Sequence, residues 1–589
     1  MAKRGRTLTN SLVKTGLINE KRQISPIGNA WLTKRLKPKD ALENILDLSD
    51  DNLVFLRQWS KDRLYNVAGN HFFIPFLFML NLLSRYERIP KKDLLIFVHS
   101  ISPNLDDIQL NELIDGYSDV DSGKMNFDEF CEKNFDNEKT DGLSAKVTSL
   151  LNSSDIIQDE FNDYFINGKS TKDSGPVYLS FVNTLVRFRK NPTYLDMKEL
   201  IRQGKNNKIK KAFGFGKHPF NSSSKHDYTV DEFVEDNNDN ALLNGSLQEI
   251  YTVFQRSKRY DLVSEYGDMT ARLTNLAGVI SYENNIASLP LKPVFEQLFA
   301  SYKIKMSGDD SYSNYDANFN SELYKDTTFL ETLNLTSEQI DLMLKSVAKK
   351  MQLSDPTQIL GAVERQNDKR FTQLIKTKFP KKVVISLLEQ FVNRDDDKIS
   401  SIVTDNAPIA DIFEYVLGLA WYYINGKGIN VRRAYKMSLD ADFLPLSHAA
   451  GYQGDLQFEY NNRTLLLEAT LMDRSTQKRG ELEPVIRHSV NLAIENGIRP
   501  TQTIFVASEL DDNVLNIFRA ATFIDLNNSA GQGLVHGVNI FAMNIAELIQ
   551  LLKFDVSDSK VIDSINNGLE SNPVQIKNNW REPIMNAML

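Results

Sequence analysis

Between Asp455 and Leu471 the sequence sets two short apolar runs around an Asn461-Asn462 turn, with one carboxylate inside the second run. Leu456-Gln-Phe-Glu-Tyr460 alternates apolar and polar residues, the two-residue period of a strand. Leu465-Leu-Leu-Glu-Ala-Thr-Leu471 reads as the returning strand of a hairpin. Alternation puts Leu456, Phe458 and Tyr460 on one face of the first strand, and Asp455, Gln457 and Glu459 on the other. On the second strand Leu465, Leu467, Ala469 and Leu471 oppose Leu466, Glu468 and Thr470. Glu468 is thus a carboxylate in an apolar strand, where burial without a partner is costly. It calls for a cation, and Asp455 can offer a second oxygen to the same ion. Two carboxylates holding a hard divalent metal such as Mg²⁺ suit phosphodiester hydrolysis. The plainer reading is a strand-end aspartate and a glutamate paired with a nearby arginine or lysine.

The flanking segments extend the pattern. An apolar helix is expected from Ile409 to Ile424. Glu481-Leu-Glu-Pro-Val-Ile-Arg-His488 opens another, with acids at its N-terminus and Pro484 in its first turn. Glu483, Arg487 and His488 fall at helical spacing, so one helix presents an acid, a guanidinium and an imidazole. His488 is a candidate to position or deprotonate water or to touch phosphate; a structural histidine is the alternative. Thr503-Ile-Phe-Val-Ala507 reads as a buried strand and Asn539-Ile-Phe-Ala542 as a later one. Helix, hairpin, helix and strand make an α/β core of nuclease type.

A chain of 589 residues implies roughly three or four domains. Residues 1–150 are expected to be mostly helical, with a short hairpin over Lys14–Ile24 and a helix opening at Ser25-Pro26; hairpin beside helix is the pattern of a winged helix, or of any surface hairpin. The segment 200–226 is rich in Lys, Arg, Gly and Ser around Phe213 and Phe215, which predicts a flexible electropositive strip or a solvated linker. A second winged helix is expected within 151–305. There Leu247, Ile250, Tyr251 and Phe254 mark one helix, a basic turn follows at Arg256-Ser-Lys258-Arg259, and a second helix ends near Gly278 before a strand–turn–strand wing to Leu289. A helix preceding a wing is the one presented to the major groove, which makes Arg256, Lys258, Arg259, Arg272, Thr274 and Asn275 candidate DNA contacts. Residues 306–400 read as a helical linker and 401–589 as the catalytic domain.

Other features exclude classes. The apolar run Phe72–Leu83 is too short for a membrane span and is broken by Asn81, so it reads as a buried helix. The basic N-terminus lacks the apolar stretch of a secretion signal. A lone Cys131 permits neither an internal disulfide nor a cysteine zinc site, which fits a reducing cytoplasm. A net charge of −8 argues against a uniformly basic coat but leaves local basic surfaces open.

At His448-Ala-Ala-Gly-Tyr-Gln-Gly-Asp455, Leu-Leu-Glu468-Ala-Thr470, Glu481-Leu-Glu-Pro-Val-Ile-Arg-His488 and Ala546-Glu-Leu-Ile-Gln-Leu-Leu-Lys-Phe554, the sequence resembles the AlwI family of type IIS restriction endonucleases, which includes large subunits of site-specific nicking enzymes. The resemblance implies a multidomain protein: a mainly α-helical recognition part with winged-helix elements, a helical linker, and a C-terminal PD-(D/E)xK nuclease domain. Asp455 and Glu468 would be its metal-binding acids, and Glu414, Glu481 and His488 supporting active-site residues. Gly454 stands where the wider superfamily has Pro, and Thr470 where it has Lys; His488 or Lys478 could take over the positioning of water. The expected activity is Mg²⁺-dependent cutting of double-stranded DNA outside a short asymmetric site. A single catalytic site hydrolyses one strand, so double-strand cleavage would need a second copy or a small catalytic subunit. A strand-specific nickase is the nearest alternative, and a non-catalytic winged-helix regulator the alternative from another class.

Overall fold

The computed structural model describes residues 10–136, 140–153, 156–166, 173–223, 226–425, 429–447, 454–531 and 533–589. The resemblance-bearing residues His448–Gln453, and Lys225 in the basic stretch, lie outside them. The chain forms two compact units, each discontinuous in sequence. One comprises residues 1–26, 59–274 and 282–325, the other 27–58, 275–281 and 326–589. Among the described residues no helix is long and apolar enough to cross a membrane.

The first unit is mainly helical. Its apolar run becomes the helix Pro75–Arg85, whose residues from Phe76 to Ser84 are all buried, with Pro75 in the first turn where its missing N–H costs nothing. The predicted N-terminal hairpin is present as an Ile18–Ile24 bridge with Arg22 at a φ of 65°. Two expectations change. The basic segment is not a loose strip: Tyr194–Gly204 and Asn207–Phe213 are helices, and Phe213 lies in a core with Phe165, Phe181 and Phe254. The turn expected at Arg256–Arg259 is also absent. A single helix runs from Leu247 to Asn275, a stretch with no proline to break it. Beyond it Asn284 and Asn285 turn the chain in the left-handed region, where asparagine is tolerated better than most residues, but among the described residues the strand–turn–strand wing expected there forms no ladder of its own. The strand that follows, Ile286–Ala287, pairs with Ile89–Pro90.

In the second unit, residues 41–44 form a short helix capped by Asp40. Glu43 there is fully buried with Arg57, whose Nε donates to it over 2.7 Å. Glu43 also accepts from the Phe329 backbone N–H, so the N-terminal piece is tied to residues beyond 326 by charge-assisted bonds inside one core. Helices Ser337–Lys350, Ile359–Lys378 and Lys381–Asn393 follow, and the first opens with a Thr336–Gln339 capping box.

The α/β part begins with α1 (Ile409–Ile424). Strands β1 (Leu456–Glu459) and β2 (Thr464–Thr470) form the expected antiparallel hairpin, with Leu456 opposite Leu467 and Phe458 opposite Leu465. Then come α2 (Arg474–Gly480), α3 (Leu482–Asn496), β3 (Thr501–Ala507), α4 (Asp512–Ala520), β4 (Ile540–Asn544), α5 (Ile545–Lys553) and α6 (Asp558–Leu569). The sheet order is β4-β3-β2-β1, with β2, β3 and β4 parallel. One face, carrying Leu465, Leu467, Ile504 and Val506, packs with residues of α1 and α5. The other, carrying Phe505, Ile540 and Ala542, packs with residues of α3 and α4. Helices on both faces explain why β3 is nearly continuous in apolar residues.

Candidate active site

The acids singled out in the sequence meet around the second half of β2. Glu468 is 5% exposed because β2 is buried on both faces. Its Oε1 lies 2.9 Å from Nδ1 of His488, which α3 carries two turns after Glu481. Asp455 stands just before β1, and its Oδ2 accepts the Ala469 backbone N–H over 2.7 Å. That bond fastens the first acid to the strand carrying the second. Gly454 leaves the space this needs: a Cβ there would lie 2.5 Å from Glu468 Oε1 and would also collide with Leu466. This accounts for the departure from proline.

Glu414 comes in from α1, 9% exposed. Its Oε2 has no hydrogen-bond partner among the described residues. The charges felt there are, in order, those of Asp455, Asp411, Glu468 and Glu481, and with burial they push its carboxyl up to about 10. Burial and the Glu468 charge hold Asp455 well above the ordinary carboxylate range, although the Ala469 N–H pulls the other way. Glu468 is raised by burial and by Glu481, and Arg487 partly offsets this. Glu481 is raised by burial and eased by a hydrogen bond with Thr470 and by His488. Thr470, in the place expected for lysine, therefore serves the site by holding an acid. Lys478 instead pairs with Asp511 at 3.1 Å.

Several mutually repelling carboxylates in one apolar pocket are unfavourable unless protons or a cation intervene. Oxygen donors and an orphaned carboxylate oxygen suit a hard divalent cation such as Mg²⁺. Among the described residues no three acid, histidine or cysteine side chains are gathered into a closed metal-ligand set. Asp455 is turned onto the Ala469 amide and Glu468 onto His488, and both bonds would be exchanged or shared when a cation enters.

The sequence reading missed Asp411, buried one turn before Glu414 on α1. Its signal was two acids at i and i+3 in a helix otherwise almost wholly apolar.

The candidate DNA contacts are scattered in character. Arg256 pairs with Asp128 at 2.7 Å and Glu132 at 3.3 Å, and Arg272 with Asp268 at 2.8 Å. Arg259 is half-buried. Lys258 is buried near Asp261. Thr274 is buried against Tyr282, their hydroxyls 2.8 Å apart. Asn275 is buried and donates to Asp440. The last three hold protein together in this conformation, while Arg256 and Arg272 keep exposed guanidinium surface.

A mixed four-stranded sheet with helices on both faces and a buried acid–histidine cluster beside its hairpin defines an α/β unit. The AlwI restriction endonuclease family matches residues 13–551, and the chain belongs to that family. It is a restriction enzyme, a site-specific DNA endonuclease. The crystal structure of the small subunit (R.BspD6I2) of the heterodimeric restriction endonuclease R.BspD6I is similar at 16% identity, over 34% of this chain and 96% of that one, with a TM-score of 0.25. No curated protein matches the chain.

Proposed function

We propose that the chain is a type IIS enzyme that binds a short asymmetric duplex site through its N-terminal residues and cuts outside it with the Asp455–Glu468 centre. The observation that carries this is the meeting of Glu414, Asp455, Glu468 and Glu481 in one buried pocket beside His488. Asp455 and Glu468 would hold Mg²⁺, with Glu414 beside them, and the ion would supply charge neutralisation at the scissile phosphate and acidify water. Glu468 orients the imidazole of His488 through Nδ1, so that Nε2 is turned to take a proton from the attacking water. Thr470 fixes Glu481, and Arg487 tempers the negative potential on Glu468. Arg256, Arg259 and Arg272 supply phosphate or base contacts, Arg256 and Arg272 exchanging their acidic partners for DNA, while Lys258, Thr274 and Asn275 keep their helix in place. The linear division into recognition parts at 1–150 and 151–305, a linker at 306–400 and a cleavage part at 401–589 is kept as the division of labour.

One such centre hydrolyses one strand. Cutting both strands draws on a second copy or a small catalytic subunit, and without one the chain nicks. The deciding experiment incubates the purified chain with plasmid and Mg²⁺ and maps the ends on both strands. Ends at a fixed offset from a common asymmetric sequence support the proposal. Ends inside the recognised sequence, or cutting unaffected by chelation, contradict it.

A further inference from the structure

At the other end of the parallel strands from Glu468 lies a polar cavity that the cleavage centre does not use. In the register, Glu468 pairs with Phe505, whereas Gln502 pairs with Leu465 at the other end of β3. Alternation puts Gln502 on the face of Ile504 and Val506, and the two positions are about 10 Å apart along the strand. Gln502 is 3% exposed, yet among the described residues both its Nε2 and its Oε1 are without a hydrogen-bond partner. It lines an open cavity of about 450 Å³ with Arg463, Phe523, Asn539, Asn566 and, at the rim, Glu570.

A buried carboxamide that makes neither of its bonds is a costly feature to retain, and an apolar residue of similar size would fill the place without that cost. The side chain offers a donor and an acceptor side by side, the pair that matches the edge of a nucleobase; glutamine bonded to adenine through N6 and N7 is the best-known match. Phe523 is 44% exposed and offers a flat apolar ring for stacking, with the Arg519 guanidinium 4.8 Å from the ring centroid. Arg463 makes no ion pair among the described residues and is a counter-charge for a phosphate. We infer that this cavity binds an unpaired nucleotide, its base held by Gln502 and stacked on Phe523 and its phosphate toward Arg463. The Glu570 carboxylate at the rim opposes a phosphate on its own side, so the phosphate is placed at the Arg463 side. The nucleotide could be free or the frayed end of a DNA strand.

The test uses the full chain in EDTA, so that no strand is cut and failure here is separate from failure of the cleavage proposal. It is titrated by ligand-observed NMR with dAMP, with deoxyribose 5-phosphate and, in a parallel arm, with a blunt duplex and the same duplex bearing one unpaired terminal adenine. dAMP should saturate a site that the abasic phosphate does not, and Gln502→Leu should weaken it by about tenfold or more. Phe523→Ala, at an exposed position that does not threaten the fold, should weaken it as well. Saturation by dAMP alone identifies a free nucleotide, and preference for the overhang over the blunt duplex identifies a strand end. Gln502→Leu should unfold no earlier than wild type, because two unpaired polar atoms are removed; if it fails to fold, Phe523→Ala decides. No saturation by either dAMP or the overhang, or binding that both variants leave unchanged, would overturn the inference.

Discussion

Replacing Glu414 by Gln should make the metal-free enzyme more stable and inactive. In the folded chain burial and the surrounding acids carry the Glu414 carboxyl from 4.5 to about 10. A raised folded-state value means that the stability linked to this group is complete below pH 4.5 and is lost as pH rises toward 10. At pH 7 the 2.5 intervening units, at about 1.4 kcal/mol each, amount to roughly 3 kcal/mol. Glutamine resembles the protonated acid and has no such dependence. Urea unfolding in EDTA at pH 5 and pH 7 should show variant and wild type close together at the lower pH, and the variant ahead by up to about 3 kcal/mol at the higher. Adding Mg²⁺ should narrow the gap by stabilising wild type more than the variant, which keeps Asp455 and Glu468 but lacks the third carboxylate. A variant less stable than wild type at both values, or a gap that does not change with pH, would refute the argument that repulsion and burial dominate the site.

Gly454→Ala should cut DNA far more slowly while binding it normally, because the new Cβ meets Glu468 Oε1 at 2.5 Å; gel-shift affinity measured beside cleavage rate checks this. Arg272→Ala should weaken specific binding by about 1–3 kcal/mol if the guanidinium reads a base, or lower the salt slope by about one if it holds a phosphate. Titrations at two salt concentrations separate these outcomes, and unchanged binding removes the residue from recognition. Leu467→Ala, deleting a fully buried side chain at the centre of the sheet core, should cost about 2–5 kcal/mol of stability, measured by denaturant unfolding.

The catalytic part was legible because its signals are local. The period of two in 456–471 fixed the hairpin and its faces, and the apolar run 409–424 fixed α1. An acid inside an apolar strand is a conspicuous cost, so Glu468 stood out without coordinates. Asp411 did not, since an aspartate in the first turn of a helix is also what ordinary N-terminal charge preference produces. The basic segment misled for a related reason. Lysines describe the surface of the helix Asn207–Phe213, while the residues that fix it to the core, Ile209, Ala212 and Phe213, are too few and too short a run to stand out from a linker. The two units could not be read at all. The Glu43–Arg57 pair and the Glu43–Phe329 bond span as many as 286 residues, and no periodicity records a contact of that range.

The central claim is that Asp455 and Glu468 together hold the ion that acts on the phosphodiester. It is tested most directly by single-turnover cleavage of a labelled duplex by Asp455→Asn and Glu468→Gln, with affinity for the same duplex measured in Ca²⁺. The account predicts that both variants bind as wild type does and that neither cuts at any Mg²⁺ concentration. Cutting at the wild-type rate by either variant would contradict it.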